Sequence, residues 1–213
     1  MGLDVGVKGN IRGAGQPTSN VDGLSTNLRG ETLIALGSPG QTEWVRYGES
    51  YAVIQGTAVA PVVALPTTAA QVSIWNGEPD GGKSYSVDSL IAMVAVSASA
   101  SSAIGFAAMM NQGRVALPSG SLLTPHGLSG RPYGGQGKVV LAATSLTDDA
   151  WMPVGNSVVG AASQIAMPVE VTVGGLYLVR PGHLFSIAVL ANTASTITVK
   201  MGFRWHEVQT GVA

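Results

Sequence analysis

Ile197-Thr198-Val199-Lys200-Met201-Gly202-Phe203-Arg204-Trp205-His206, a stretch near the C-terminal end of the sequence, decides the fold class. Large apolar side chains alternate there with polar or small ones, and successive side chains of a β-strand point to opposite faces. The stretch therefore predicts a strand that packs one face on a core and turns the other towards solvent or a partner.

The residues just before this strand extend the β pattern. Two apolar runs, 176–179 and 184–190, flank a turn at Arg180-Pro181-Gly182, as expected for consecutive antiparallel strands. In the second run, alternate residues from position 185 fall on one face. The predicted core or interface anchors of this region are Phe185, Ile187, Val189, Ile197, Val199, Met201, Phe203 and Trp205.

The chain upstream contains further short apolar runs separated by turn residues. Thr42–Tyr47 and Tyr51–Gln55 predict a hairpin around Gly48-Glu49-Ser50, and 103–110 is compatible with either a strand or a short helix. Roughly eight to ten strands are expected, with turn signals about every 8 to 15 residues, which is typical of a sandwich or barrel. We therefore predict an all-β fold, an antiparallel, jelly-roll-like β-sandwich.

The sequence divides into an arm and a domain. Residues 1–40 are rich in Gly, Asn, Ser and Thr and lack a lasting period, which predicts an extended N-terminal arm, with a disordered tail as the alternative. Residues 41–213 form the predicted sandwich, with a long Gly/Pro-rich loop at 112–137 of a kind that is usually functional or mobile. Candidate partner contacts are Leu33, Ile34 and Leu36 in the arm, and Leu122, Leu123 and Tyr133 in the loop.

Composition favours a protein whose surface is covered by partners. Hydrophobic residues make up 46% of the chain and charged residues only 11%, against about 25% charged residues in an ordinary soluble domain. The alternative is that Ser, Thr, Asn and Gly keep the protein soluble. The net charge of −1, with cancelling charges in the arm, gives no field for direct contact with nucleic acid or an anionic membrane. The uncharged stretch 89–111 fits two strands better than a membrane helix.

Signatures of catalysis or metal binding are not apparent. The three histidines, His126, His183 and His206, are dispersed, and the chain has no cysteine, so no metal-ligand spacing is present. Asp148-Asp149 and Glu78-Pro79-Asp80 have the chemistry of calcium ligands, but turn capping explains them better. We predict no enzyme activity, no catalytic residue, no metal and no cofactor. A glycan platform is disfavoured because the aromatic residues are dispersed along the chain.

The segments 176–187 and 197–208 resemble the closing strands of jelly-roll structural proteins from virus and phage particles. The resemblance implies a capsid, cement or decoration protein in the virion, commonly a homotrimer that also contacts other capsid proteins. The missing basic arm favours a place on the capsid surface over genome packaging. Two alternatives remain: a jelly-roll major capsid protein, and a carbohydrate-binding sandwich of the receptor-binding or lectin type.

Overall fold

The computed structural model of the chain describes residues 40–96, 102–144, 151–159, 168–191 and 197–209. Within these ranges one short helix, α1 (Gly40–Tyr47), precedes eleven strands. The strands are β1 (Ser50–Ile54), β2 (Ala69–Trp75), β3 (Lys83–Val96), β4 (Ser102–Met110), β5 (Ser121–Leu123), β6 (His126–Gly127), β7 (Lys138–Thr144), β8 (Met152–Val159), β9 (Pro168–Val179), β10 (Leu184–Ala191) and β11 (Thr198–Gln209).

The strands form two antiparallel sheets that pack face to face. Sheet 1 has the order β6-β1-β11-β3-β9, and sheet 2 has the order β5-β7-β2-β10-β4-β8. Eight strands pair in a nested way, β1 with β11, β2 with β10, β3 with β9 and β4 with β8. Each successive connection among these eight changes sheet except that from β4 to β8, which is the jelly-roll arrangement. The predicted jelly-roll-like sandwich is therefore confirmed.

The main core lies between the two sheets and is centred on β11 and β10. All eight predicted anchors, 185, 187, 189, 197, 199, 201, 203 and 205, have no exposed surface and belong to this core. Phe203 contacts Trp205 along the strand and Phe185 across the sandwich, with ring centroids 5.5 and 6.1 Å apart. Burial of each such side chain contributes about 1.5–3 kcal/mol, so the alternation in β11 stabilises the fold directly.

The outer face of sheet 2 is also covered. Ala107, Met109 and Ala188 are buried there in a smaller cluster under Trp151. Because both faces of sheet 2 are shielded, β10 is buried almost throughout its length, which explains its nearly continuous apolar sequence.

The hairpin predicted for 42–55 is wrong, because its first half is helix α1 and only its second half is a strand, β1. In the helix Trp44 stacks on His206 with ring centroids 4.8 Å apart, and His206 Nδ1 lies 2.8 Å from Asp88 Oδ1. The apparent alternation over six residues was too short to distinguish strand from helix, and packing of the tryptophan on sheet 1 decides the outcome.

Two other regions differ from or extend the prediction. The ambiguous stretch 103–110 is a strand, β4, and the strand β8 was not predicted. The loop at 112–137 contains β5 and β6, which with β7 enlarge both sheets on one side of the sandwich. The predicted arm lies outside the described residues except for Gly40, so its form stays a prediction. None of the described residues belongs to a helix long and apolar enough to cross a membrane.

Candidate binding groove

A groove opens where the chain passes from the edge of sheet 2 to the edge of sheet 1. Strand β5 pairs with β7, and after a link of two residues β6 pairs with β1. The link Thr124-Pro125 ends β5 because proline has no N–H for a ladder. The groove has a volume of about 670 Å³ and is lined by residues 122–127, 130–133, 137 and 138.

Close backbone packing shapes one wall of the groove. The chain turns at 127–130, where the Gly130 N–H donates to the Gly127 carbonyl oxygen at 3.1 Å. A Cβ at position 127 would overlap the Arg131 carbonyl oxygen, so only glycine permits this approach. His126 also forms a bridge with Pro132, which holds the two sides of the turn together.

The lining combines apolar surface with positive charge. Leu122, at 59% exposure, lies in the groove with Leu123, which is partly buried. Arg131 and Lys138 are exposed, and neither pairs with a carboxylate among the residues that the structure describes. No Asp or Glu lines the groove. The surface is therefore suited to an occupant that carries both an aliphatic and an anionic group.

Tyr133 connects the groove with the core beneath it. Its ring contacts Tyr51 and Trp205, with centroids 4.7 and 6.1 Å away. Its hydroxyl accepts a hydrogen bond from the Gly137 N–H at 2.9 Å. Burial raises the pKa of Tyr133 above its ordinary value and raises that of Tyr51 to about 12, so both phenols are neutral at physiological pH.

A buried carboxylate lies behind Tyr133. Glu207 is 2% exposed, and its Oε2 is 3.2 Å from Lys83 Nζ, which also lies 3.7 Å from Glu49 Oε1. Its Oε1 and the Tyr133 hydroxyl both lie next to Gly135, and Oε1 has no hydrogen-bond partner within the described residues. Burial raises the pKa of Glu207, while the Lys83 ammonium and its hydrogen bond oppose that shift. This cluster fixes the loop behind the groove to sheet 1.

The predicted partner contacts divide between the groove and the undescribed arm. Leu122, Leu123 and Tyr133 all line the groove. Leu33, Ile34 and Leu36 lie outside the described residues. Sequence reasoning did not single out Arg131, Lys138 or Glu207. For Glu207 a signal existed, because the alternation that turns Trp205 inward also turns Glu207 inward.

The acidic residues that were considered as calcium ligands either accept hydrogen bonds from other groups of the protein or lie outside the described residues. Asp80 accepts hydrogen bonds from Arg114, and Glu78 accepts one from the Gln136 N–H. Asp148 and Asp149 lie outside the described residues. Over the part of the chain that is described, no three His or acidic side chains converge as a metal site would require.

The aromatic side chains are buried or half-buried. None of the four Trp, five Tyr and three Phe residues, all of which are described, falls in the exposed class. Trp75 is partly buried and donates its indole N–H to the Val115 carbonyl oxygen at 2.9 Å. An exposed stacking platform for sugar rings is therefore not present among the described residues.

Comparison with known proteins gives no assignment. The chain matches no protein-family model, and no curated protein matches it in sequence. Its function has to be inferred from the fold and from the chemistry of its surface.

Proposed function

We propose that this protein is a structural component of a virus particle, a cement or decoration protein on the capsid surface. In this role it associates with its own copies, most simply as a homotrimer, and with the shell proteins beneath. It acts by burying apolar surface, so it needs no cofactor and performs no catalysis. Direct contact with the genome is not part of the proposal, since the net charge is −1.

The observation that carries the proposal is exposed aliphatic surface on a chain with few charges. Scattered surface aliphatics are ordinary, but grouped ones commonly mark interfaces. Here they fall in three regions of the sequence: the end of β1 with the segment after it, the insertion between β4 and β8, and the edge strands β8 and β9. The exposed side chains are Ile54, Val59, Val63, Leu65, Leu117, Leu122, Leu128, Met152, Leu176 and Leu178.

The first region has a structural basis. Residues 55–68 cross from sheet 1 to sheet 2, where Val59 bridges to Val199 and Val62 bridges to Leu190. These backbone bonds hold the segment in place while Val63 and Leu65 remain 60% and 45% exposed. A rigid segment that presents aliphatic side chains loses little entropy on binding, which favours its use as a contact surface.

The jelly-roll fold is compatible with the proposed function but is not specific to it. The fold is common in viral capsid proteins, but it also occurs in lectins and cupins. A major capsid protein would also assemble by burying apolar surface, but it would form the shell itself. The copy number in the particle would distinguish a major capsid protein from a cement or decoration protein. The carbohydrate-binding alternative has less support, because the described aromatic side chains are buried or half-buried.

Sedimentation velocity on the full chain tests the proposal. A stable oligomeric interface commonly buries about 2,000 Å² or more, so we expect a discrete oligomer between about 1 and 100 µM, whose stability depends on concentration. Replacing Val63 and Leu65 with serine should weaken assembly more than a serine at Val154, a half-buried side chain on the edge strand β8 that packs against the main core. A protein that stays monomeric throughout this range would contradict the proposal. If a discrete oligomer is found, a density map of the intact particle would locate the protein on the capsid and give its copy number.

A further inference from the structure

The groove beside β5 has the features of a site for an extended polypeptide. Strand β5 is an edge strand, with β7 on one side and no strand on the other within the described residues. Such an edge leaves backbone N–H and C=O groups that can pair with an added strand. Leu122, the central residue of β5, exposes 59% of its surface and lines the groove. A small molecule would leave the backbone groups of this edge unpaired. An extended polypeptide would pair with those groups and also contact the Leu122 side chain.

The charges of the groove restrict the sequence of that segment. Arg131 and Lys138 line the groove, and no acidic residue does. Three other cationic side chains of the described sandwich, Lys83, Arg114 and Arg204, each have a carboxylate partner, whereas Lys200 and Arg180, which do not line the groove, have none within the described residues. An occupant with a carboxylate next to aliphatic side chains would satisfy both the cations and the apolar lining.

The chain itself contains such a segment. Glu31-Thr32-Leu33-Ile34-Ala35-Leu36 places one carboxylate just before three large aliphatic side chains. We propose that residues 31–36 of a second copy occupy the groove as an added strand, with Glu31 facing Arg131 and Lys138. This inference rests on the self-association in the proposed function and specifies its contact.

Chain length constrains the assembly. Only residues 37–39 separate this segment from α1, and the four Cα–Cα steps from Leu36 to Gly40 span at most about 14 Å. The groove of one copy must therefore lie close to the helix of the next. That geometry fits a closed ring of a few copies, in which each groove is filled by a neighbour and no arm is left over.

Engineered disulfides test the proposal in the full chain, which has no native cysteine. Tagged Leu33→Cys protein is mixed with untagged Leu122→Cys protein, the oligomers are allowed to exchange, and mild oxidation follows. We expect a tagged–untagged disulfide dimer on a non-reducing gel. The matched control replaces Leu122→Cys by Leu176→Cys, a leucine that is 73% exposed on strand β9. The proposal requires a yield about fivefold or more above this control.

Charge reversal provides a second, independent readout. Arg131→Glu should lower the cross-linking yield and weaken the oligomer about fivefold, and Glu31→Lys on the partner copy should restore both. Arg180→Glu, an exposed arginine on the turn after β9, should change neither. This inference is overturned if an oligomer forms but Leu122→Cys cross-links no better than Leu176→Cys, or if Arg131→Glu changes neither the cross-linking yield nor the stability of the oligomer. Self-association, as proposed above, would still hold in that case. A protein that is monomeric throughout overturns both.

Discussion

Glu207 Oε2 lies 3.2 Å from Lys83 Nζ, yet the Glu207 side chain is 1% exposed and the Lys83 side chain is 35% exposed. The two ends of this ion pair therefore experience different environments. Glu207 bears most of the desolvation cost, and its pKa is raised despite the neighbouring cation. In this pair burial outweighs attraction, as is common for carboxylates removed from water.

The raised pKa predicts that Glu207 contributes more to the stability of the fold under mild acidification than at neutral pH. A group whose folded pKa exceeds the unfolded value stabilises the fold below that unfolded value, here 4.5, and loses this contribution as the pH rises through the folded pKa. Glu207→Gln should therefore raise the free energy of unfolding at pH 8 by about 1 kcal/mol and change it little near pH 4. Denaturant unfolding at both pH values measures this. Glu170→Gln, at an exposed ion pair with Arg204, should show no such difference between the two pH values.

A hydroxyl pair between β2 and β10 predicts a non-additive double mutant. Ser73 Oγ and Ser186 Oγ are 2.8 Å apart and have no exposed surface. Either Ser→Ala change should cost about 1–3 kcal/mol, because it leaves the other hydroxyl buried and unpaired. The double variant should cost less than the sum of the two single changes. Urea unfolding of the four proteins gives the coupling, and strict additivity would rule out the pair as a unit.

The contact between β1 and β11 predicts that Gly202 cannot be replaced. A Cβ at this position would overlap the Val53 carbonyl oxygen on the neighbouring strand. Gly202→Ala should therefore destabilise the protein by about 3 kcal/mol or more, since backbone cannot yield as a flexible side chain can. Gly56→Ala, with no atom within 4 Å of its Cβ, is the control and should be nearly neutral. Equal melting temperatures for the two variants would contradict the prediction.

The stacking of Trp44 on His206 predicts a local loss of order when the tryptophan is removed. The helix end is held by hydrogen bonds from the Gly48 and Glu49 N–H groups to the carbonyl oxygens of Val45 and Trp44. Trp44→Ala should speed amide hydrogen exchange at positions 48 and 49 by more than tenfold while exchange in β10 stays slow. Tyr47→Phe keeps the helix length and the ring, and it should leave these exchange rates almost unchanged.

The sequence predicted the fold class because the strands that build the core alternate clearly. In β11 the inward side chains at 199, 201, 203 and 205 are large and apolar, and this periodicity survives folding because each of them enters the same core. Strand β8 was missed because its centre, Gly155-Asn156-Ser157, consists of turn-forming residues. Its pairing with β4 overrides that local preference.

The groove could be predicted only in part. The loop was marked by its length and composition, and Leu122, Leu123 and Tyr133 were named as partner contacts. That they line one groove follows from the separate pairing of β5 with β7 and of β6 with β1, which no local pattern reveals. Arg131 and Lys138 matter because no carboxylate lies close enough to pair with them in the described structure. Which charged groups lie close together is decided by the tertiary structure and cannot be seen in the sequence.

The nested strand pairing also has a consequence for biosynthesis. Gln55, just after β1, donates its side-chain amide to the Val199 carbonyl oxygen, 144 residues away. Sheet 1 cannot close until β11 has left the ribosome, and such high contact order slows folding. Until β11 emerges, the nascent chain therefore carries apolar, unpaired strands. Binding to chaperones, or rapid association with other copies of the protein, would protect it from aggregation.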